Sequence, residues 1–505
     1  MDNRQPRSSH VQILRSSAVV GSASLINVAV GLVRTKAMAV LLGPAGVGLM
    51  GLYGAITDVT RSVAELGING SGVRQIADAV ASGDDERIAR TVSVLRRVAV
   101  FLGLLGAVML AALSDPVARL TFGNDGHAAA VAVLSLVVLF RLVGDGQAAL
   151  LQGMRKVGDI ARAGVLGGLA GTAVTIALVM AFGEKGIATS LVAVAVVSAL
   201  PSWWYSRRLN IRSVAMPWRA LRQESRALLK LGLAFMASGF LMLGAGYAVR
   251  LILMREGGGT AAAGLYQAAW TIGGLYVGFI LQSMGTDFYP RLVGAMREPG
   301  HANRLVNEQT QVSLLLAGPG VLATLSLAPW VLSLLYSAEF GAAVELLRWV
   351  CAGMALRIIT WPMGFIIVAG GRQTAFFMTE LAWTAANIGL SWWGVRHFGL
   401  VGAGVAFFGS YVLHGLMVYP IVRRQTGFRW TAANWTSGLL FLVPLAIAFA
   451  GFQLLPLGSA TALGLVLTLG SGLYSVFALA RLVPADRLPR RIQRLFQRGT
   501  LRPAP

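Results

Sequence analysis

Seven basic side chains lie inside stretches that otherwise suit hydrocarbon: Arg34, Lys36, Arg61, Arg141, Arg250, Arg348 and Arg357. Acidic residues accompany them: Asp58, Glu65, Asp145, Glu345 and Glu380, with Asp287 near the end of a run. A charge at mid-bilayer costs about 2.5–3.5 kcal/mol on insertion scales, so such groups should pair with one another or face a water-filled space. Spacing sorts them. Asp58, Arg61 and Glu65 recur at i, i+3 and i+7 and share one helical face, whereas Arg34 and Lys36 project to nearly opposite faces. Arg141 with Asp145 (i, i+4) and Glu345 with Arg348 (i, i+3) are placed to pair along their own helices. Arg34, Arg61 and Arg357 have no such simple explanation and read as cavity residues. A cavity with more cations than anions suits an anionic ligand, and the guanidinium fork matches phosphate oxygens. Asp58, Glu65 and Glu380 are the carboxylates placed to couple an ion; for Glu380 a hydrogen bond to a neighbouring helix is the plainer alternative.

The elements that carry these residues follow from composition. Of 505 residues, 56% are hydrophobic and 13% charged. Apolar runs of about 20 residues recur from end to end, the pattern of an all-α integral membrane protein. We read about fourteen transmembrane helices. Of the 43 basic residues, thirty-two fall in alternate connecting segments, four in the intervening ones and seven within spans. By the positive-inside rule this asymmetry places both termini in the cytoplasm. It also accounts for the net charge of +22 without nucleic acid, since basic loops facing anionic headgroups suffice. The basic N-terminal stretch "MDNRQPRSSHVQILRSS" leads into a full-length apolar run rather than a compact signal-peptide core.

Weak internal matches share an offset near 216. "VGLMGLYGAI" (47–56) resembles "AGLYQAAWTI" (263–272), and "FGEKGIATSL" (182–191) resembles "FGLVGAGVAF" (398–407). Six spans separate equivalent positions, so the halves are parallel repeats related by an axis along the membrane normal. The expected layout is a lobe of spans 1–6 (1–206), a basic connector (207–226), a lobe of spans 7–12 (227–424), an extra helix pair (425–483) and a basic tail (484–505). A central cavity lies between the lobes in this reading.

Other chemistry is poorly provided for. No P-loop motif and no HExxH or Cys/His cluster occurs, so no cofactor or metal is expected. The single Cys351 sits in an apolar run, and the five histidines are scattered. The longest outer loop, "DPVARLTFGNDG" (115–126), is too short to hold a sugar together with catalytic carboxylates. Asp115 and Asp125 within it read as turn and cap residues. An enzyme is therefore not expected.

Several stretches resemble one family. "AVLLGPAGVGLMGLY", "LMREGGGTAAAGLYQAAW" followed by "GTDFYPRL", "ALLQGMRK" and "LLRWVCAGMALRIITWPMGFIIVAGGRQTAFFMTELAW" are similar to segments of Wzx-type flippases, the O-antigen and enterobacterial common antigen translocases. These belong to the multidrug/oligosaccharidyl-lipid/polysaccharide exporter superfamily. The likeness covers roughly residues 11–425. It implies two six-helix lobes and an undecaprenyl-diphosphate-linked oligosaccharide moved from the inner to the outer leaflet of a bacterial inner membrane. It implies work beside a polysaccharide polymerase and a chain-length regulator. It also implies site roles for Lys36 before the "GPAG" turn, for Gln267, for Arg357 and for Glu380. Arg34, Arg61, Arg141 and Arg250 rest on the charge argument alone. The family has about twelve spans, so the extra helix pair is a departure. A lipid II flippase and a drug or cation exporter are the neighbouring readings; the latter would want acids rather than excess arginine.

Overall fold

The computed structural model describes residues 5–209, 211, 214 and 218–482, with the side chains of 5–21 and of parts of 218–238 and 279–287 left undescribed. The tail 484–505, much of the connector 207–226 and the side chains of Arg4, Arg7, Arg15 and Asp287 therefore lie outside the described residues. Within them the chain is all helical, without strands. The helices are α1 (Gln5–Glu65), α2 (Ile68–Ser82), α3 (Asp85–Ala112), α4 (Ser114–Phe122), α5 (Ala128–Gly153), α6 (Val157–Phe182), α7 (Gly186–Arg207) and α8 (Trp218–Glu256). They continue as α9 (Gly259–Ala295), α10 (Pro299–Ser326), α11 (Ala328–Leu335), α12 (Val344–Ala369), α13 (Gln373–Phe398), α14 (Leu400–Thr426), α15 (Ala432–Leu454) and α16 (Leu457–Leu482).

Eight described stretches are long and apolar enough to cross a membrane, nine if a bent pair is counted. Two of them, Ser22–Glu65 and Val157–Arg207, are 44 and 51 residues long and each holds two of the expected spans. The first is divided at Gly43, whose φ of 61° and ψ of −170° leave helical space just before Pro44. A residue with a Cβ is strained at that φ, and Pro44 lacks the N–H to continue the helix. "GPAG" is thus a sharp break inside α1 rather than an open loop. A second break separates α10 from α11, which meet at 83°. α2 and α4 are short helices in segments that read as connections. Asp84 caps α3 by accepting hydrogen bonds from the N–H groups of Glu86 and Arg87.

The chain separates into two compact units, Met1–Gly264 with Leu335–Glu339, and Leu265–Leu334 with Phe340–Pro505. In the first, α8 packs with α1, α2, α3 and α4. Its core includes Leu52, Ile68, Leu95, Leu134, Leu142 and Ile187, all fully buried. Lipid is as apolar as leucine, so close packing rather than water exclusion holds such helices together. The tightest approach joins the two glycines that the repeat equates. A Cβ on Gly48 would sit 1.8 Å from the Thr260 carbonyl oxygen, and one on Gly264 would sit 1.9 Å from that of Pro44. α1 and the start of α9 therefore touch backbone to backbone.

In the second unit α12 packs on α10 and α14, α13 lies against α14, and α15 and α16 lie against α10. Gly353 of α12 receives the Phe407 ring of α14; a Cβ there would meet it at 2.4 Å. A polar clasp fixes the extra helices. Asn307 of α10 donates to the Arg429 carbonyl and accepts from the Thr431 N–H, and its side chain also receives the Asn434 amide. Outward-facing positions stay apolar, among them Val108 at 66% and Leu469 at 67% exposure, as a surface solvated by lipid requires.

Candidate functional site

Two polar clusters sit within the helical layers, one in each unit. In the first unit, α1 presents the stripe Asp58, Arg61 and Glu65 towards Arg141 and Asp145 of α5. The pairing crosses between the helices. Arg141 donates to Asp58 at 2.6 Å, while Arg61 donates to Asp145 at 3.1 Å and to Glu65 at 2.8 Å. Arg141 and Asp145 could have paired along α5; each instead takes a partner on α1. The reason is geometric: the α1 stripe offers opposite charge at both levels, and ion pairs that bridge helices also fix their register. These side chains are half-buried, between 15% and 41% exposed. Arg34, half-buried on α1, lies within electrostatic reach of Arg141. Two guanidinium groups thus engage all three carboxylates, with a third, that of Arg34, near Arg141.

The other basic residues expected at the site are partly committed too. Lys36 is half-buried on α1, ahead of the Gly43 break. Arg250 of α8 donates to the carbonyl of Gly246, one turn back on its own helix. Gln267 of α9 donates to Thr271 at 3.1 Å.

The second cluster, in the other unit, is built by α12, α13 and α14. Arg357 of α12 lies over the Trp361 ring at 4.5 Å and at 6.0 Å from the Tyr411 ring. Trp361 stands one turn ahead of Arg357 on the same face, and Pro362 then denies the Ile358 carbonyl its helical donor. Trp383 of α13 packs against Tyr411 of α14 with ring centroids 5.5 Å apart, and His414 adjoins Tyr411 at 5.8 Å. Glu380, one turn before Trp383 and Thr384, feels the charge of Arg357, as His414 does.

The bonding in this second cluster is unlike that in the first. Among the described residues, neither Arg357 nor Glu380 closes a hydrogen bond or ion pair. Arg357 Nε, Thr360 Oγ1, Trp383 Nε1, Thr384 Oγ1 and His414 Nδ1 are buried without a protein partner. Each such group is costly, about 1–3 kcal/mol and more for a charged one, so on adjoining turns they leave donors and acceptors that a polar ligand could satisfy. A cation with unused donors, an unpaired carboxylate and partly buried aromatic rings together can hold phosphate and sugar hydroxyls.

Sequence reading reached Arg357 and Glu380 but not Trp361, Trp383, Tyr411 or His414. The i, i+4 relation of Arg357 to Trp361 and the i, i+3 relation of Tyr411 to His414 were visible signals. That α13 brings Trp383 to the same place was not. Glu345 and Arg348, expected to pair locally, do not: Arg348 lies over the Phe452 ring at 3.7 Å, and Glu345 accepts from Gln453 at 3.4 Å. Asp125 pairs with Arg119 at 3.5 Å, and Asp115 stands in the first turn of α4. Among the described residues no group of three His, Cys, Asp or Glu side chains could hold a metal.

The same chain resembles known transporters. The lipid III flippase of Escherichia coli (strain K12) is 23% identical over 420 residues, which span 80% of this chain and 96% of that protein. The lipid III flippase of Shigella flexneri gives the same figures. Among solved structures, the lipid II flippase MurJ in an inward closed conformation superposes with a TM-score of 0.69 at 12% identity, covering 92% of this chain and 100% of that one. An inward-facing multidrug resistance MATE family transporter of the MOP superfamily gives 0.63 at 17% identity, covering 81% and 99%. At these identities the two structures establish the fold. The relatives are transporters and flippases rather than enzymes. A model of one family, described as polysaccharide biosynthesis protein, matches residues 37–345, more than half of the chain. By that match, and with a multi-pass helical fold to carry it, the chain belongs to the polysaccharide biosynthesis protein family.

Proposed function

We propose that this protein is a flippase that moves an undecaprenyl-diphosphate-linked oligosaccharide, an O-antigen or related surface-polysaccharide unit, from the inner to the outer leaflet of the bacterial inner membrane. The observation that carries the reading is the α12–α13–α14 cluster. Its one guanidinium is unpaired and its neighbours suit a glycan. In the proposed cycle the polyprenyl tail stays in lipid while the headgroup enters the protein. Arg357 takes the diphosphate oxygens, and Glu380, Tyr411 and Trp383 take sugar hydroxyls and ring faces. Alternating access of the site to the two sides of the membrane then releases the headgroup outward. Lys36, Arg34, Arg250 and Gln267 are assigned to the path of the headgroup. Arg61 and Arg141 are assigned a different task from the one their sequence suggests. Already engaged by carboxylates, they hold α1 to α5, and a phosphate would have to displace those partners.

Of the carboxylates placed for ion coupling, Asp58 and Glu65 are held by arginines, so Glu380 is the one we assign to proton or sodium binding. Both termini are placed in the cytoplasm on the distribution of basic residues. A polysaccharide polymerase and a chain-length regulator are the proposed protein partners, and the basic loops are proposed to lie on anionic lipid. Lipid II transport is a second reading, favoured by the likeness to the lipid II flippase over 92% of this chain, α15 and α16 falling beyond the usual twelve spans. A multidrug or cation exporter fits less well, because the unsatisfied cluster offers a cation.

Reconstitution into liposomes with a fluorescent lipid-linked oligosaccharide tests the proposal. Wild-type protein is expected to move the probe between leaflets, and Arg357→Ala to slow movement about ten- to hundredfold at unchanged protein level. Normal movement by Arg357→Ala would remove the assignment.

A further inference from the structure

Arg348 is a buried cation that the transport cycle does not use. The residue is 7% exposed, and its Nε and Nη2 groups are buried without a hydrogen-bond partner among the described residues. It lies near the start of α12, its guanidinium 3.7 Å from the centroid of the Phe452 ring at the end of α15. Glu345, one turn earlier on the same face, is within electrostatic reach and yet makes no ion pair with it. Residues three apart on a helix have Cβ atoms about 5–6 Å apart, so the pair could close if nothing else were intended for it. Instead Glu345 is exposed and turned to Gln453, while Arg348 is turned under Phe452. The result is a positive and a negative group side by side, held apart by the residues of α15.

The surroundings are lipidic. Gln453 is followed at once by Leu454 (82% exposed), Leu455 and Leu457, all exposed, in the turn that joins α15 to α16. An apolar turn of this kind sits in the bilayer, and the polar rim beside it lies at the depth of the headgroups. A lipid headgroup at that depth is the ligand that the exposed leucines favour for Arg348 and Glu345.

We propose that Arg348, Glu345 and Gln453 form a binding site for a phosphoethanolamine headgroup on the flank of the second unit. The phosphate takes the unused guanidinium donors of Arg348 once the Phe452 ring swings aside. The primary ammonium, two carbons away from the phosphate ester oxygen, donates to the Glu345 carboxylate and the Gln453 side-chain carbonyl. A phosphocholine headgroup carries the same charges but has no N–H to donate, and a phosphoglycerol headgroup brings its phosphate to a site that also holds a carboxylate. The site thus selects by complementarity at both ends, and it gives the α15–α16 pair a function of its own. The inference does not depend on which lipid is transported.

The test is retention of lipid by the detergent-purified full chain, read by native mass spectrometry with phosphatidylethanolamine, phosphatidylcholine and phosphatidylglycerol of identical acyl chains. The expected result is that phosphatidylethanolamine is retained about tenfold over the other two, the ratio one charge-assisted hydrogen bond supplies. Arg348→Gln should lose retention of phosphatidylethanolamine. Glu345→Gln, at an exposed position that leaves the fold intact, should lose the preference while phosphatidylglycerol gains. Equal retention of the three lipids by wild type, a preference for phosphatidylglycerol, or an unchanged preference in Glu345→Gln would each overturn the proposal. If Arg348→Gln fails to fold, the wild-type series and Glu345→Gln decide it.

Discussion

The two polar clusters hold similar residues and use them in opposite ways. In the first unit, Arg61 and Arg141 are bound to Asp58, Glu65 and Asp145 across α1 and α5. In the second, three helices gather Arg357, Glu380 and aromatic rings, and among the described residues five buried polar atoms there lack partners. An intramembrane charge alone therefore does not mark a ligand site. A charge whose partners are already present stabilises the helices that bring them, whereas one without partners costs free energy until a ligand arrives.

The difference gives ordered ways to break it. The largest effect is expected at Arg357. Losing a charge-assisted hydrogen bond to phosphate is worth about 1.5–3 kcal/mol, so transport by Arg357→Ala should fall about ten- to hundredfold in the liposome assay with thermal stability unchanged. If stability falls instead, the cluster is structural after all. Next comes the backbone contact of the first unit. Gly264→Ala forces a Cβ against the Pro44 carbonyl, and overpacking of this kind typically costs about 1–3 kcal/mol. A melting point lowered by several degrees in detergent, with Gly48→Ala behaving alike, is the expected outcome.

A smaller effect should follow from opening the α1–α5 network. Asp58→Asn leaves Arg141 without its carboxylate, but these groups are 38–40% exposed, so solvent screening keeps the loss to about 1–2 kcal/mol. The double exchange Asp58→Arg with Arg141→Asp should restore much of the stability that Asp58→Arg alone removes; no recovery would mean that the pairing across helices is not what holds them. The smallest effect is expected from Tyr411→Phe, which keeps the ring and removes one hydroxyl. A loss of a few fold in apparent substrate affinity, about 1 kcal/mol, should appear without any change in protein yield.

Much of the fold could be read directly. Apolar runs announce membrane helices because lipid offers the backbone no partner, and each of the fourteen expected spans meets a helix or part of one. Where the helices break was harder. Gly43–Pro44 reads equally as a loop or as a bend, and Pro329, just after Leu327, marks a helix boundary without giving the 83° turn made there. The site was legible one helix at a time. Spacing identifies the α1 stripe and selects Arg357. It cannot tell that Arg141 prefers Asp58 to Asp145, because that choice depends on the register of α1 against α5. Nor can it bring Trp383, Tyr411 and His414 to Arg357, since the packing of α13 and α14 places them. Arg348 illustrates the same limit: a local partner was available at Glu345, and the contact made is with Phe452, more than a hundred residues away.

The most direct test is binding of a short-chain polyprenyl-diphosphate oligosaccharide to purified wild-type, Arg357→Ala and Arg61→Ala proteins, followed by quenching of tryptophan fluorescence. The account predicts an affinity at least about tenfold weaker for Arg357→Ala and near wild type for Arg61→Ala. Loss of affinity in Arg61→Ala with wild-type binding by Arg357→Ala would contradict it.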